Sequence, residues 1–300
     1  MTSGKFRLGI LGAQDSPYVR ELLSAARQSD FETAVLGFGE LAAQATCDGR
    51  AQLKTTLHDF DAVIVRTMPL GSLEQVVLRM DLLQAAVDGG IGVFNRPKCL
   101  ETCIDKWLTV QRLCSADIAV PETHVCQTRD AALRAFEKLG GDIVVKPIFG
   151  GEGRGIMRIQ DADLAWRVFS SLEQLRSVLY VQQYSEPIGY DIRVFLIGEQ
   201  ALAMRRYVAA ESWKTNVAVG GRVATHELQA EEFQLAKRAR DAVAGADASQ
   251  SIVGVDLLPC SDGVLRVLEV NAVPGWMGLR KATGVDIPQI LLNHIRSSVT

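Results

Sequence analysis

The sequence predicts an α/β N-terminal domain followed by an α+β region. Three observations predict it. Strand-like and helix-like segments alternate as far as Pro97, a glycine-rich stretch from Gly150 to Gly155 lies between two strand-like runs, and strands dominate from Asp191 to Asn271.

Phe6 to Gly12 reads as a strand leading into a polar turn, Tyr18 to Gln28 as a helix, Glu32 to Phe38 as a second strand and Asp61 to Arg66 as a third. A helix from Leu73 to Asp88 and a short strand from Gly92 to Asn95 complete the alternation, which argues for a small parallel-sheet domain over residues 1–97. No G-x-G-x-x-G follows the first strand, so a dinucleotide fingerprint is missing. The next unit, residues 98–185, opens with a helix from about Leu100 to Ala116 and a short extended piece after Pro121. A helix from Asp130 to Leu139 is stopped by Gly140-Gly141. Strands at Asp142 to Pro147 and Met157 to Ile159 flank the glycines, and a helix from Asp163 to Ser177 leads to a strand at Val178 to Tyr184. Residues 186–300 contribute strands at Asp191 to Ile197, Gln200 to Val208, Gly254 to Leu258 and Val264 to Asn271, with a helix from Glu231 to Ala244 among them.

A chain of 300 residues with 48% hydrophobic content can bury a large core. Its net charge of −3 offers no broad basic surface, which speaks against nucleic acid as the main partner. The apolar start is too short for a signal peptide and no run reaches membrane-spanning length, so the expected location is the cytoplasm, without a membrane partner. The six cysteines form no CxxC pair and the four histidines lie far apart, so neither a zinc site nor a disulfide framework follows; Cys99 and Cys103 read as free thiols.

Val255-Asp256-Leu257 and Leu268-Glu269-Val270-Asn271 are two apolar strands, each carrying a carboxylate where a core residue is expected. Asp262-Gly263 is suited to a two-residue type I′ turn, in which Ser261 faces Val264 and Asp256 faces Glu269. Asn271 then projects from the same face as Glu269. Like charges facing each other across a ladder are destabilising unless compensated. Two carboxylates and an amide oxygen make a hard-oxygen set suited to Mg²⁺ that also holds substrate phosphates.

The four glycines of the loop let the backbone approach a ligand closely, and Lys146 at the end of the preceding strand supplies a point charge for a phosphate. No Gly-Lys-Ser/Thr follows, which excludes a P-loop, and the lysine precedes the loop, which excludes a protein kinase. A loop between two strands is a flap, and not the helix-opening turn of a Rossmann fold.

Strand, lysine, glycine flap, helix, strand and an acidic hairpin ending in Glu-x-Asn: in this order the chain resembles the ATP-grasp superfamily, and within it the RimK-type alpha-L-glutamate ligases, over about residues 98–290. The motifs are Asp105-Lys106-Trp107, Val145-Lys146-Pro147, Gly150 to Gly155, Val181-Gln182-Gln183-Tyr184, Gly189-Tyr190-Asp191-Ile192-Arg193, Arg205-Arg206, Asn216, Gly220-Gly221 and Val255-Asp256. The most specific are Glu269-Val270-Asn271-Ala272-Val273-Pro274-Gly275 and Thr283-Gly284-Val285-Asp286-Ile287. The resemblance implies an ATP-grasp fold whose two subdomains clamp ATP. Lys106 and Lys146 are then expected at its phosphates, beneath a flap that includes Gly151, Glu152, Gly153, Arg154 and Gly155. Gln182, Gln183 and Tyr184 are expected around adenine, Asp191 at the ribose and Lys214 in the ATP-binding set. Asp256, Glu269 and Asn271 are expected to hold Mg²⁺ (two ions, with Mn²⁺ as an alternative), and Arg193, Arg206 and Asn216 to face the transferred phosphate and the acyl substrate.

Such chemistry activates a carboxylate as an acylphosphate, which an amine attacks to give an amide, ADP and phosphate. Its demand is for cations positioned in advance of charge accumulation, without a protein nucleophile. The expected partners are a small-molecule carboxylate and an amine, and the expected product is glutamate or another amino acid joined to a pterin or methanofuran-like cofactor or a peptide. A protein C-terminus as acceptor, a nucleotide-binding regulatory protein without turnover, and phosphoryl transfer to a hydroxyl are the alternatives. By analogy the chain forms a dimer or tetramer. Three departures stand out: Gln183 replaces a glutamate, Trp213-Lys214-Thr215-Asn216 replaces a Phe-Arg-Ser-Asn-like segment, and Val217-Ala218-Val219 lacks the usual basic residues. The last two bear on the acceptor. Trp276 is read as packing or pocket lining, Arg280 and Lys281 as a basic turn or a substrate contact, and His226 as structural or exposed.

Overall fold

The computed structural model describes residues 5–47, 51–151, 153–207, 213 and 222–299. Strands β1 (Phe6–Leu11), β2 (Phe31–Leu36), β5 (Ala62–Val65) and β6 (Gly92–Phe94) form a parallel sheet in the order β2-β1-β5-β6. The strand–helix alternation predicts such a sheet. Between β2 and β5 lies a small hairpin, β3 (Ala43–Cys47) and β4 (Ala51–Thr55), which the sequence reading lacks. Its first strand is exposed throughout, so no apolar alternation announces it. Helices α1 (Pro17–Arg27) and α9 (Ile287–Val299) cover one face of the parallel sheet, through Leu22, Leu291 and Ile295 against Leu8 and Ile10. The other face meets α2 (Leu73–Asp88) and α3 (Pro97–Ile104), with Leu83 and Leu100 against Val63 and Val65.

The expected single helix from Leu100 to Ala116 is two helices, α3 and α4 (Lys106–Ser115). Asp105 breaks it: its Oδ1 accepts the Trp107 and Leu108 N–H groups at 2.8 and 3.0 Å, which starts a new helix. Both helices share a core with α7 (Ala230–Ala244) and β15 (Leu265–Asn271). A separate core begins only at β7 (Thr123–Cys126) and continues through α5 (Arg129–Lys138), β8 (Ile143–Lys146), β9 (Met157–Ile159), α6 (Ala162–Gln174) and β10 (Leu179–Gln183). The packing therefore departs from a unit that begins at residue 98. These strands form an antiparallel sheet in the order β7-β10-β8-β9.

The third sheet is antiparallel and runs β13 (Val223–Thr225), β12 (Gln200–Tyr207), β11 (Tyr190–Ile197), β14 (Ile252–Pro259), β15. One face packs on α7 through Ile192, Val194, Val255 and Val267. The other is apolar at one end, where Phe195, Ile197 and Ile252 meet α8 (Met277–Thr283) and α9, and polar at the other. That polar end builds the site.

The β14–β15 turn differs from the two-residue type I′ expectation. Cys260 N donates to Val264 O at 3.1 Å and Gly263 N to Cys260 O at 3.0 Å, which closes a three-residue loop with Gly263 at φ +79°. The wider loop is held by Asp262, whose Oδ1 accepts the Val264 N–H at 3.0 Å and whose carboxylate grips Arg266. The pairing then runs Pro259↔Leu265 and Leu257↔Val267, until a bulge admits Leu268 as an extra residue. Beyond it Asp256 faces Glu269, as the turn reading requires. One residue more in the loop is offset by one residue more in the strand.

Candidate active site

A row of charges crosses four strands on the polar end of this sheet. Asp191 faces Arg206 across β11 and β12, Arg193 faces Asp256 across β11 and β14, and Asp256 faces Glu269 across the hairpin. Because Asp191 and Arg193 are alternate residues of one strand, all five side chains share a face. Arg206 donates from Nε and Nη2 to the two Asp191 oxygens at 2.6 and 2.7 Å, and from Nη2 to Asp256 Oδ2 at 2.8 Å. Arg193 forks onto Asp256 through Nε and Nη2, the latter at 2.7 Å. Burial alone would lower the Arg206 pKa, but Asp256 and Asp191 outweigh it and hold the guanidinium charged. Burial likewise works to raise Asp256, and Arg193 and Arg206 together pull it below the usual carboxylate range. The compensation that facing carboxylates demand is thus partly built in.

Asp191 was expected at a ribose. It is fully buried, with both oxygens on Arg206, so this geometry makes it a positioning partner of that arginine. Glu269 makes no hydrogen bond or ion pair with the described residues, although its charge acts on both lysines opposite. Lys146 donates to Gln182 Oε1 at 2.6 Å and Lys106 to the Gly150 carbonyl at 2.6 Å. Burial lowers both; Lys146 falls to about 8, with Glu269 opposing the drop and Lys106 adding to it. Among the described residues the two lysines meet only neutral acceptors and Glu269 meets no cation, so the site can take anionic ligands and a counter-charge.

The glycine loop joins β8 to β9 as a hairpin flap. Gly155 lies at φ +71°, and a Cβ there would stand 2.8 Å from Pro147 Cγ, so only glycine fits. Gly153 lines the cavity, whereas Gly151 and Arg154 are exposed. Glu152, Lys214 and Asn216 lie outside the described residues.

Among the described residues no three Asp, Glu, His or Cys side chains cluster as a metal site. The candidate set is Asp256 and Glu269 with the Asn271 amide, whose Oδ1 accepts the Val273 N–H at 2.8 Å and keeps a second lone pair. Two carboxylates and an amide oxygen on one sheet face fit a hard divalent cation, with Glu269 the group in need of a counter-charge.

The charge row, Lys146, Gly153 and Asn271 open onto one cavity of about 730 Å³ between the central and five-stranded sheets. At one end Val144, Ile156, Leu258 and Leu268 make an apolar slot beside Gln183 and Tyr184. The bulge turns Leu268 into that slot. Tyr184 is held by the Arg158 guanidinium, 3.5 Å over its ring. Sequence reasoning missed the apolar lining, because these residues look like ordinary strand positions, and it missed Arg66 and Tyr18 at the far end. Trp276 is packed: fully buried, it donates to Glu21 Oε2 at 2.7 Å and meets Tyr18 edge-on. Arg280 pairs with Glu21 in the same cluster. His226 is structural, held between Arg205 and Glu232. All six cysteines are free thiols. No helix among the described residues is long and apolar enough to cross a membrane.

The family model of the RimK-like ATP-grasp domain matches residues 103–295. A tetrahydromethanopterin:alpha-L-glutamate ligase of Methanosarcina acetivorans is 30% identical, over 93% of this chain and 94% of its own. An alpha-aminoadipate–LysW ligase of Sulfolobus acidocaldarius is 29% identical over 68% of this chain and 74% of its own. Among solved structures, the ATP-grasp ligase PsnB in complex with a minimal precursor superposes with a TM-score of 0.75 at 21% identity, covering 99% of this chain and 100% of that one. The D-alanine–D-alanine ligase of Bacillus anthracis in complex with ATP gives 0.68 at 18% identity, over 98% and 97% of the two chains. With the charge row, the flap and the cavity in place, these matches carry one conclusion: the chain belongs to the RimK-like ATP-grasp family of ligases.

Proposed function

We propose that this cavity joins glutamate to a carboxylate of a small-molecule cofactor, with ATP bound against Mg²⁺. The ligase forms C–N bonds with release of ADP, as ATP-grasp ligases do. The observation that carries the assignment of roles is the convergence of Arg193, Arg206, Lys146 and Glu269 on one cavity. In this reading adenine occupies the slot between Leu258, Leu268 and Tyr184. Its phosphates lie under the glycine flap, where Lys146 and Lys106 exchange their neutral acceptors for phosphate oxygens. Asp256, Glu269 and Asn271 would hold Mg²⁺, which supplies neutralising charge at the phosphates.

The acid substrate attacks the γ-phosphate, and Arg193 and Arg206, already aligned by Asp256 and Asp191, stabilise the charge that accumulates. No reorganisation is needed at that moment. Closing the flap excludes water from the acylphosphate until the amine attacks. The sequence Val217-Ala218-Val219, which lacks basic residues, favours a small acceptor, and the relative named for tetrahydromethanopterin supports it.

The test is ADP release from Mg·ATP with L-glutamate and a panel of reduced pterin cofactors, small carboxylic acids and acidic peptides. Turnover is expected with one class, and Glu269→Gln with Asn271→Ala should lower it by about 10³-fold while the fold survives. Unchanged turnover in that variant would sink the metal assignment.

A further inference from the structure

Arg66 stands just beyond the carboxyl end of β5 and lines the cavity at the end away from the adenine slot. It is 6% exposed. Nη2 donates to the Pro274 carbonyl at 2.8 Å, and Nε has no partner among the described residues. Aromatic faces supply its other contacts: Trp276 lies 4.4 Å and Tyr18 5.5 Å from the guanidinium carbon. Among the described residues no carboxylate pairs with it. Of the acids that line the cavity, Asp191 and Asp256 are committed to Arg193 and Arg206, and Glu269 faces the lysines. Burial draws the arginine's pKa down to about 10, with Tyr18 opposing the drop.

A second source of positive potential points to the same place. Ser16 and Pro17, at the start of the eleven-residue α1, also line the cavity; Ser16 makes no side-chain cap and the first turn holds no acid. Both features sit beyond the carboxyl ends of the neighbouring strands β1 and β5, where the strand order reverses direction, the crevice at which open parallel sheets receive ligands. The distance to the chemistry is short. The Pro274 ring and the Arg193 side chain both come within 3.5 Å of a Cβ placed on Gly254.

A buried, unanswered arginine in a cavity needs an anion, and the ligase reading leaves one unplaced. We propose that Arg66 and the first turn of α1 bind a non-reacting carboxylate of the amino-acid substrate, and so aim its amine at the activated acid beside Arg193. The inference rests on the ligase reading, and its test separates the two. With the acceptor found by the panel above, kcat and KM are measured for L-glutamate, L-glutamine and L-isoglutamine, which remove neither, the side-chain or the α-carboxylate.

In the wild-type protein one of the two amides should lose about 30-fold in kcat/KM, the worth of a charged hydrogen bond of about 2 kcal/mol. Arg66→Met should raise the KM for L-glutamate by a similar factor, leave the KM for ATP within about 3-fold, and erase the preference for acid over amide. Arg66→Lys, which keeps the charge and loses the fork, should retain part of that preference. A structural role alone would not move the acid-to-amide ratio. Wild-type protein that uses both amides as well as glutamate overturns the subsite without any variant, as does an Arg66→Met variant that still prefers the acid. Wild-type protein that ligates no amino acid removes the ligase reading, and the subsite with it.

Discussion

Arg206 stands between two buried carboxylates, and each depends on it. Removing it strands Asp191, so Arg206→Met should destabilise the protein by about 3–5 kcal/mol in urea unfolding. A loss below about 1 kcal/mol would show that the pair is not buried as described. Lys146 makes a prediction in pH. Its folded pKa is lowered to about 8, and its charged form is the one that meets phosphate. The kcat/KM for Mg·ATP should therefore be full below that value and fall as pH rises through it. Lys146→Arg should move the fall by more than one pH unit; a limb that stays near 8 assigns it to another group. At this scale the sequence exposes Asp256 and Glu269, because a carboxylate in an apolar strand is conspicuous. It does not expose the Asp191–Arg206 pair, since each residue alone passes for a solvated strand position and only the β11–β12 register joins them. Arg66 is hidden further still, as nothing near it in sequence indicates the docking that buries it.

The β14–β15 hairpin shows what elements add. Its register at Asp256 is legible in the chain, yet the turn type is not. An Asp-Gly pair serves both two- and three-residue loops, and the Arg266 contact that widens this loop lies outside the dipeptide. The bulge at Leu268 is equally silent, because an apolar residue inserted among apolar residues leaves the pattern intact. Gly254 tests the same element. A Cβ there would lie 3.0 Å from Pro274 Cβ and 3.3 Å from Arg193 Cδ. Gly254→Val should displace Arg193 and lower kcat by at least about 10-fold while circular dichroism is unchanged. Wild-type kcat in that variant would mean that Arg193 need not sit where it does.

Across the whole molecule, the parallel sheet and the five-stranded sheet are joined by a buried clamp. Asn95, at the end of β6, donates to the carbonyls of Ile252 and Ala272 at 2.6 Å each and accepts the Ile252 N–H at 2.7 Å. Asn95→Ala leaves three backbone groups unpaired and should cost about 3 kcal/mol. The fold class is legible because alternation and strand runs are properties of local sequence. The helices α8 and α9 and the partition of core among the sheets are not, as they follow from docking between segments far apart in the chain. Docking also makes the site: cations from the five-stranded sheet, Lys146 and the flap from the central unit, and Arg66 from the first domain surround one cavity. The most direct measurement of what that cavity does combines wild-type protein, Mg·ATP and carbon-13-labelled L-glutamate with a cell metabolite extract, followed by mass spectrometry of the products. We expect one small molecule to gain a labelled glutamyl residue, with one ADP per bond formed and no gain with Glu269→Gln. A product that gains phosphate in place of the label, or label incorporation undiminished in Glu269→Gln, would contradict the account.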